Sequence, residues 1–354
     1  TMSQLMDTFT DSAFYQNGLS NVLPILVVAA LFWTLARARR QPIWAEAYRR
    51  LGRNRFAQIA LLVIGIFGIV AMADSLGWKD NLAAPRLTLL DRAFHARYHG
   101  MTERTYSPPL ATQTVGEPTP HRLLFPGRHL LGTDANGQDV LYQTMRGCRT
   151  AFIVGGLTQL IATPLALLFG MCAGYFGKRV DDGVQYLYTV LDSIPSILLL
   201  IALVLVLGRG LTSICIALGV TSWVGLCRLT RGETLKHRDR EYVRAARALG
   251  VGSARILTRH ILPNLLPLVI ISVTLGISGQ ILGETILSYL GIGVDPTTGS
   301  WGNMIDAARQ ELTRDPIIWW TLGSAALATF TLVLSFNILG DALRDAVDPR
   351  LRSS

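Results

Sequence analysis

Long apolar runs separated by short polar or basic segments dominate the chain. A helix needs about 20 mostly apolar residues to cross the hydrocarbon of a bilayer. This pattern predicts an all-α, polytopic membrane bundle of about seven transmembrane helices, with the first run the shortest. The predicted spans are Leu19 to Ala36, Ala57 to Gly77, Ala151 to Phe176, Val184 to Leu207, Leu211 to Leu229, Leu262 to Leu290 and Ile317 to Leu339.

Two clusters of basic residues predict how the spans are oriented. Residues 37–55 hold seven arginines against Glu46, and residues 228–260 hold nine Lys or Arg against three acids. Short basic loops stay on the cytoplasmic side of a membrane, so both segments are predicted to be cytoplasmic. Alternation then places the N-terminus and residues 78–150 and 291–316 outside, and the C-terminus inside. The flank before the first run has no basic residue, which argues against a signal peptide.

Composition narrows the classes of function. Half of the 354 residues are apolar, 16% are charged, and the net charge is +9. Nucleic-acid binding is disfavoured because the arginines cluster beside apolar runs. That distribution is the one expected when basic loops stay on the cytoplasmic side of a membrane. Four cysteines give no disulfide framework, and no clustered Cys or His has the spacing of a metal site. The chain is therefore expected to bind no cofactor of its own.

The pattern divides the chain into five predicted regions. They are an N-terminal span with an Arg-rich linker (1–55), a first core span (56–77), an extracytoplasmic loop (78–150), a core membrane domain (151–340) and a cytoplasmic tail (341–354). The outer loop is predicted to end in a short amphipathic helix whose stripe, Val140, Leu141 and Met145, suits the outer membrane face. Gly170 and Gly174 have the spacing of close helix contacts, and Trp301, Trp319 and Trp320 are predicted to anchor the last span at an interface.

A short basic helix is predicted between Asp239 and Gly250, inside the cytoplasmic loop 230–261. Tyr242, Ala246 and Leu249 share one face of this helix, and Arg240, Arg244 and Arg247 share another. A helix with small residues can sit deep in a groove of a partner protein, because alanine does not hold two backbones apart. The alternative is a solvated basic helix that lies on anionic lipid.

Three residues are predicted to set the ends of the neighbouring helices. Asp239 is the candidate cap at the start of the short helix, and Gly250 is the candidate stop. Pro263 marks either the first turn of the next span or a kink in it.

This segment also carries a resemblance to a known family. The pattern R-A-A-x3-G-x9-H-x-L-P resembles the EAA loop of ATP-binding-cassette (ABC) importer permeases, in the form shown by the dipeptide/oligopeptide subfamily. Further stretches match that subfamily, namely LGTDANGQDVL, GYFG, LDSIP, SYLGIGV, SWG and LGDALRDAVDPRL. The matches span about residues 56 to 352, and the span at 19–36 is additional to the usual six-span plan.

The resemblance implies a type I importer half for di- or oligopeptides in the bacterial inner membrane. It would pair with a second, homologous permease and two cytoplasmic ATPase subunits that carry ATP and Mg, and an extracytoplasmic binding protein would deliver the substrate. The residues that the resemblance implies for ATPase coupling are Glu241, Tyr242, Arg244, Ala245, Ala246, Arg247, Gly250, His260 and Pro263. Candidate contacts with the binding protein are Asp134, Asp139 and Trp301.

The chain is not expected to be an enzyme. It has no P-loop, so ATP hydrolysis must come from another chain. Gly276-Ile-Ser278-Gly279 matches the GxSG of intramembrane proteases, but no histidine follows His260 to act as the base. Permeases of the same type for nickel chelates, glutathione or peptide antibiotics remain alternatives, and an ATP-independent channel or secondary transporter is a more distant one.

Three residues inside or beside spans are candidates for the substrate pathway. Asp192 and Glu284 are carboxylates in membrane segments, where such groups usually face a cavity or a partner. For both, helix packing is the stronger alternative, and Ser278 completes the candidate set.

Overall fold

The computed structural model describes residues 21–22, 24–26, 49–78, 87–98, 101–115 and 119–347. These residues are mostly helical and include one two-stranded antiparallel sheet. Most of the predicted first span, most of the Arg-rich linker and residues 348–354 of the predicted C-terminal tail lie outside the described residues.

Eleven α-helices follow one another along the described residues. In chain order the elements are α1 (Arg55–Ser75), β1 (Gly77–Trp78), β2 (Leu87–Thr88), α2 (Leu89–Tyr98), α3 (Val140–Phe176), α4 (Lys178–Asp192), α5 (Ser196–Leu207), α6 (Leu211–Arg238), α7 (Glu241–Ala248), α8 (Ser253–Arg255), a π-helical turn (Ile256–Ile261), α9 (Leu262–Tyr289), α10 (Trp301–Ala308), a 3-10 turn (Glu311–Thr313) and α11 (Trp320–Val347).

Five continuous helices are long and apolar enough to cross a membrane, and α4 with α5 passes the same test as a bent pair. The five are α1, α3, α6, the continuous run Ser253–Tyr289 and α11. The five helices and the bent pair correspond, in chain order, to the second to seventh predicted spans. The fourth is not a straight span, because its two halves meet at 87°. Pro195 explains the break, since it has no N–H and disfavours helical geometry in the residue before it.

Helix extends into two predicted loops. The helix expected to lie on the outer membrane face is the first part of α3, and its Val140 is fully buried. No proline separates it from the apolar run, and a single glycine does not stop a helix. The cytoplasmic segment 230–261 is also mostly helix, because α6 continues to Arg238 and helix resumes at Ser253. Lys, Arg and Glu are good helix formers, so the end of an apolar run does not end the helix.

The chain divides into two compact units. Unit 1 comprises residues 1–152 and 296–332, and unit 2 comprises residues 153–295 and 333–354.

Two buried indoles organise unit 1. Trp301 is 2% exposed, and its indole N–H donates to the Thr144 carbonyl at 2.9 Å. Gly147 makes room for that ring, because any Cβ at this position would overlap it. Trp320 is also buried and donates to the Thr133 carbonyl at 2.9 Å. The prediction that these two tryptophans are membrane-interface anchors is therefore wrong, and only Trp319 is exposed.

Unit 2 is a helical bundle with close contacts between α3 and α6. A Cβ added at Gly170 would lie 2.6 Å from the Cys227 carbonyl oxygen, and one at Gly174 would lie 2.7 Å from that of Arg231. The predicted role of these glycines in close helix packing is confirmed. The Thr230 hydroxyl donates to the Ala166 carbonyl at 3.2 Å and adds a polar contact along the same seam.

Candidate functional site: the segment between α6 and α9

Helix α7 begins one residue later than the sequence suggests. Its N-cap is Arg240, which provides no side-chain cap, so the prediction that Asp239 caps the helix is wrong. Asp239 instead presents its backbone carbonyl to Nε of Arg244 at 2.9 Å. Glu241 lies in the first turn, where a negative charge complements the helix dipole.

The end of α7 is a glycine stop, as predicted. Gly250 has a φ of +77°, and its N–H donates to the Arg247 carbonyl at 3.0 Å. The N–H of Val251 donates to the Ala246 carbonyl, also at 3.0 Å. This pair of bonds is a Schellman motif, whose left-handed position glycine fills without steric penalty.

The inner face of α7 consists of Val243 and Ala246. Val243 is 0% exposed and Ala246 is 6% exposed. Both pack in one apolar cluster with Ile256, Leu257 and Ile261 of the π turn. The prediction that Ala246 faces a partner together with Tyr242 and Leu249 is therefore wrong, because Ala246 is covered by the chain itself.

The outer face of α7 is left uncovered by this chain. Leu249 is 83% exposed, and Glu241, Ala245 and Ala248 are exposed on neighbouring turns. These positions repeat at the three- and four-residue spacing of one helical face. A small face with one prominent leucine can pack closely against a complementary groove.

Five arginines in and around α7 form no ion pair with a carboxylate of the described residues. Among the described residues, no carboxylate lies within 4 Å of the side chains of Arg240, Arg244, Arg247, Arg255 and Arg259. Arg247 lies over the Tyr175 ring at 5.4 Å and thereby connects α7 to the end of α3. Arg240, Arg244 and Arg247 lie on the side of α7 away from Leu249, so this positive charge flanks the uncovered face.

A hydrogen-bonded link centred on Tyr242 joins α6, α7 and α9. The Tyr242 hydroxyl lies 2.8 Å from Nδ1 of His237, and Nδ2 of Asn264 donates to it at 3.5 Å. The same amide nitrogen donates to the His260 carbonyl at 2.6 Å. Burial raises the pKa of Tyr242, which keeps the hydroxyl neutral and its proton available to His237.

The two remaining predicted coupling residues lie where the π turn meets α9. His260 is the fifth residue of the π turn, and its carbonyl is the one that Asn264 binds. Pro263 occupies the first turn of α9, which confirms the first of the two predicted placements. The π turn runs into α9 without a break, so the missing N–H of Pro263 interrupts a continuous backbone ladder.

Two ion pairs hold α4 against α6. Arg231 forms a two-pronged pair with Asp181, with one N–O distance of 2.6 Å. Arg228 pairs with Asp192 and lies over the Tyr188 ring at 4.6 Å. Asp192, predicted as a substrate-pathway candidate, thus has a structural partner at the bend that follows α4.

The other two pathway candidates are buried in unit 2. Glu284 is 3% exposed and accepts a hydrogen bond from the Ser288 hydroxyl at 2.7 Å. The Ser278 hydroxyl is within 2.7 Å of the Leu275 carbonyl and of Oδ1 of Asn337. Substrate contact by either residue stays a prediction, and packing alone explains both.

The residues predicted to contact a binding protein have local partners in unit 1. Asp134 is half-buried and accepts bonds from the backbone N–H groups of Asn136 and Gln138 at 2.9 and 2.8 Å. Asp139 is buried and accepts from the Tyr98 hydroxyl at 2.7 Å, and it lies 2.8 Å from Nδ1 of His129. Since Asp139 and Trp301 are buried in unit 1, their predicted contact with a binding protein lacks an exposed surface.

The sequence did not predict the residues whose side chains connect α7 to the neighbouring helices. Asn264 and His237 lie outside the predicted short helix, yet both bond to Tyr242. Asn264 directly follows Pro263, and an amide that follows a helix-starting proline is a signal that could have been used.

A bundle of long apolar helices, with a short basic helix between two of them, defines a polytopic membrane protein with a candidate docking element. The family model described as "Binding-protein-dependent transport system inner membrane component" matches residues 166–353. The chain belongs to this family, the inner-membrane permeases of ABC importers. It is therefore a multi-pass inner-membrane subunit of a system that includes ATPase and substrate-binding components.

Curated relatives match over most of the chain. The oligopeptide transport system permease protein OppC of Bacillus subtilis is 31% identical over 310 residues, which cover 88% of this chain and 90% of the relative. OppC of Haemophilus influenzae is 36% identical over 319 residues, with 88% and 89% covered. The dipeptide permease DppC of B. subtilis is 37% identical over 224 residues, with 63% and 69% covered.

A solved structure also resembles the chain. A chain of the inward-facing MetNI methionine ABC transporter matches with 19% identity and a TM-score of 0.43, over 59% of this chain and 94% of that chain.

Proposed function

We propose that this chain is one permease half of an ATP-driven importer for di- or oligopeptides. The peptide substrate is supported by the names of relatives that align over nearly 90% of the chain. The permease pairs with a homologous second permease, and an extracytoplasmic binding protein delivers the substrate. ATP and Mg bind to two partner ATPase subunits, and this chain has no ATPase site of its own.

Helix α7 docks into the ATPase subunit in this proposal. The single observation that carries the docking role is the uncovered face around Leu249, a side chain that is 83% exposed. A large apolar side chain at the tip of a short helix is suited to a pocket on a protein partner. The arginines on the adjoining side of α7 suit an acidic rim on that partner.

The transmembrane orientation follows from the same charges. The basic segment 228–260 lies in the cytoplasm, the N-terminus lies outside, and the C-terminus lies inside. Binding of ATP at the partner subunits then favours one membrane conformation by its differential affinity for the two states.

The test is the charge-introducing variant Leu249→Asp in the complete complex. A carboxylate at the centre of an apolar contact is expected to lower co-purification of the ATPase subunits at least about tenfold, because buried unpaired charges are strongly unfavourable. Leu124→Asp, at an exposed leucine of unit 1, is the matched control and is expected to leave assembly unchanged. Full assembly and uptake in Leu249→Asp would contradict docking through this face.

Uptake assays separate the alternatives. Labelled dipeptide uptake should require ATP and should be competed by di- and oligopeptides but not by nickel chelates or glutathione. Uptake that persists after ATP depletion would instead support a channel or a secondary transporter.

A further inference from the structure

The junction between α7 and α9 has features that the docking role does not require. Helix α7 is linked to α8 through Gly250 and Gly252, two residues with wide backbone freedom. The connection to α6 is only Asp239 and Arg240, with no side-chain cap. A helix held by such linkers would swing freely unless side-chain contacts fixed its direction.

We propose that Tyr242 and Asn264, together with the π turn Ile256–Ile261, act as positioning elements that fix α7 rigidly to α9. A displacement of α7 then moves α9 rather than changing the angle between the two helices. This inference rests on the proposed docking of α7, and it adds which contacts convert docking into movement of the bundle.

Apolar packing supplies the first half of this rigid connection. Val243 and Ala246 of α7 pack against Ile256, Leu257 and Ile261, all of which are buried. Hydrogen bonds in a π helix join residues five apart, so the turn brings Ile256 and Ile261 closer to one side than an α-helical turn would. An α-helical turn would rotate Ile256 away from this cluster.

The π turn itself is shown by its hydrogen bonds. The N–H of Leu262 donates to the Leu257 carbonyl, five residues back. Pro263 has no N–H to donate, so it leaves a gap in the backbone ladder. The side chain of Asn264 binds the His260 carbonyl at 2.6 Å and adds a side-chain bond at the end of the π turn.

Hydrogen bonding supplies the second half. The amide of Asn264 that holds the π turn also donates to the Tyr242 hydroxyl, and that hydroxyl lies 2.8 Å from His237 of α6. Among the described residues, Tyr242 is thus the one whose side chain is connected by these bonds both to α6, before α7, and to α9, after it. Removing its hydroxyl releases α7 from both without changing the outer face near Leu249.

The first experiment measures coupling in the complete complex, reconstituted in proteoliposomes. Tyr242→Phe and Asn264→Ala are each expected to lower the peptide transported per ATP hydrolysed by about three- to tenfold, the effect of losing one or two hydrogen bonds. ATPase binding should be unchanged. The double variant should be less impaired than the product of the two single effects, because the two residues share one of their bonds. Tyr186→Phe, at an exposed tyrosine of α4, is the control.

The second experiment changes the register of the π turn. Deletion of Thr258 removes the extra residue and favours an α-helical turn, which rotates α7 about 100° around the axis of α9. The deletion is expected to abolish transport while ATP hydrolysis continues. Thr258→Ala keeps the chain length, and it should transport normally because it removes only a bond from the Thr258 hydroxyl to the Ala254 carbonyl.

The outcomes separate this inference from the docking proposal. If Tyr242→Phe and Asn264→Ala keep the normal transport-to-ATP ratio while Leu249→Asp loses the ATPase, docking stands and the positioning role is overturned. If Leu249→Asp keeps the ATPase, docking itself has failed. Should the Thr258 deletion not assemble, the Tyr242 and Asn264 variants alone decide, since neither alters the chain length.

Discussion

At the residue scale, Gly250 has a specific conformational requirement. Its φ is +77°, and no atom lies within 4 Å of the position that a Cβ would take. A side chain there meets no neighbour, so the penalty is the left-handed backbone alone, about 1–2 kcal/mol. The Schellman end of α7, and with it the direction of Leu249, depends on this conformation.

Gly250→Ala is expected to lower transport several-fold while membrane insertion stays intact, and Gly250→Leu is expected to abolish transport because its longer side chain would also occupy the space of a docked partner. Gly252→Ala is the matched control, because Gly252 has an ordinary φ of −66° and equally open surroundings. The measurement is peptide uptake normalised to the amount of permease in the membrane. Equal uptake by the Gly250 and Gly252 variants would show that the left-handed stop is dispensable.

Asp139 makes the stability of unit 1 depend on pH. Burial alone would raise its pKa, but hydrogen bonds from His129, Tyr98 and the backbone of Tyr142 bring the pKa below its ordinary value. A carboxyl group whose pKa is lower in the folded state stabilises the fold above its unfolded pKa, about 3.9. That contribution is lost as pH falls from there through the lower folded value.

Asp139→Asn should therefore lower the thermal unfolding midpoint of the purified permease at pH 7, and the difference from the parent should shrink below about pH 4. Asp182→Asn, at an exposed carboxylate of α4, serves as the control and should change little at either pH. A difference that stays constant down to pH 3 would show that the ionised Asp139 is not the stabilising form.

At the element scale, the contact between α3 and α6 depends on small residues. Gly174→Ala would place a methyl group 2.7 Å from the Arg231 carbonyl oxygen, so the helices must separate. Overpacking of this kind costs about 1–3 kcal/mol. Gly156→Ala in the same helix meets no atom within 4 Å, and alanine is the better helix former there. Thermal unfolding in detergent should show Gly174→Ala destabilised and Gly156→Ala unchanged or slightly stabilised.

Local sequence rules predict helix ends well where a single residue decides them. Gly250 as a stop and Pro263 in a first turn follow from backbone geometry. The face of α7 that meets the bundle could not be predicted, because Val243 with Ala246 and Tyr242 with Leu249 are both reasonable apolar stripes. The buried face is the one that packs against the π turn and against Met171 and Tyr175 of α3, which are distant along the chain.

At the scale of the whole molecule, the apolar runs predict the membrane class and the six spans found among the described residues. Their ends are less predictable. Charged residues continue α6 to Arg238, and Pro195 turns one span into a pair bent by 87°. Buried networks such as Asp139 with His129, or Trp301 with Gly147, require long-range packing that no local pattern contains.

The central claim is that α7 meets a cytoplasmic ATPase through the face around Leu249. The most direct measurement places a photo-crosslinking amino acid at position 249 and irradiates the intact complex in inner-membrane vesicles. Docking through Leu249 predicts a crosslink to the ATP-hydrolysing subunit. It also predicts that a cysteine at this position is labelled by reagents that reach only the cytoplasmic side. Crosslinks to lipid alone, or labelling from the outside, would contradict it.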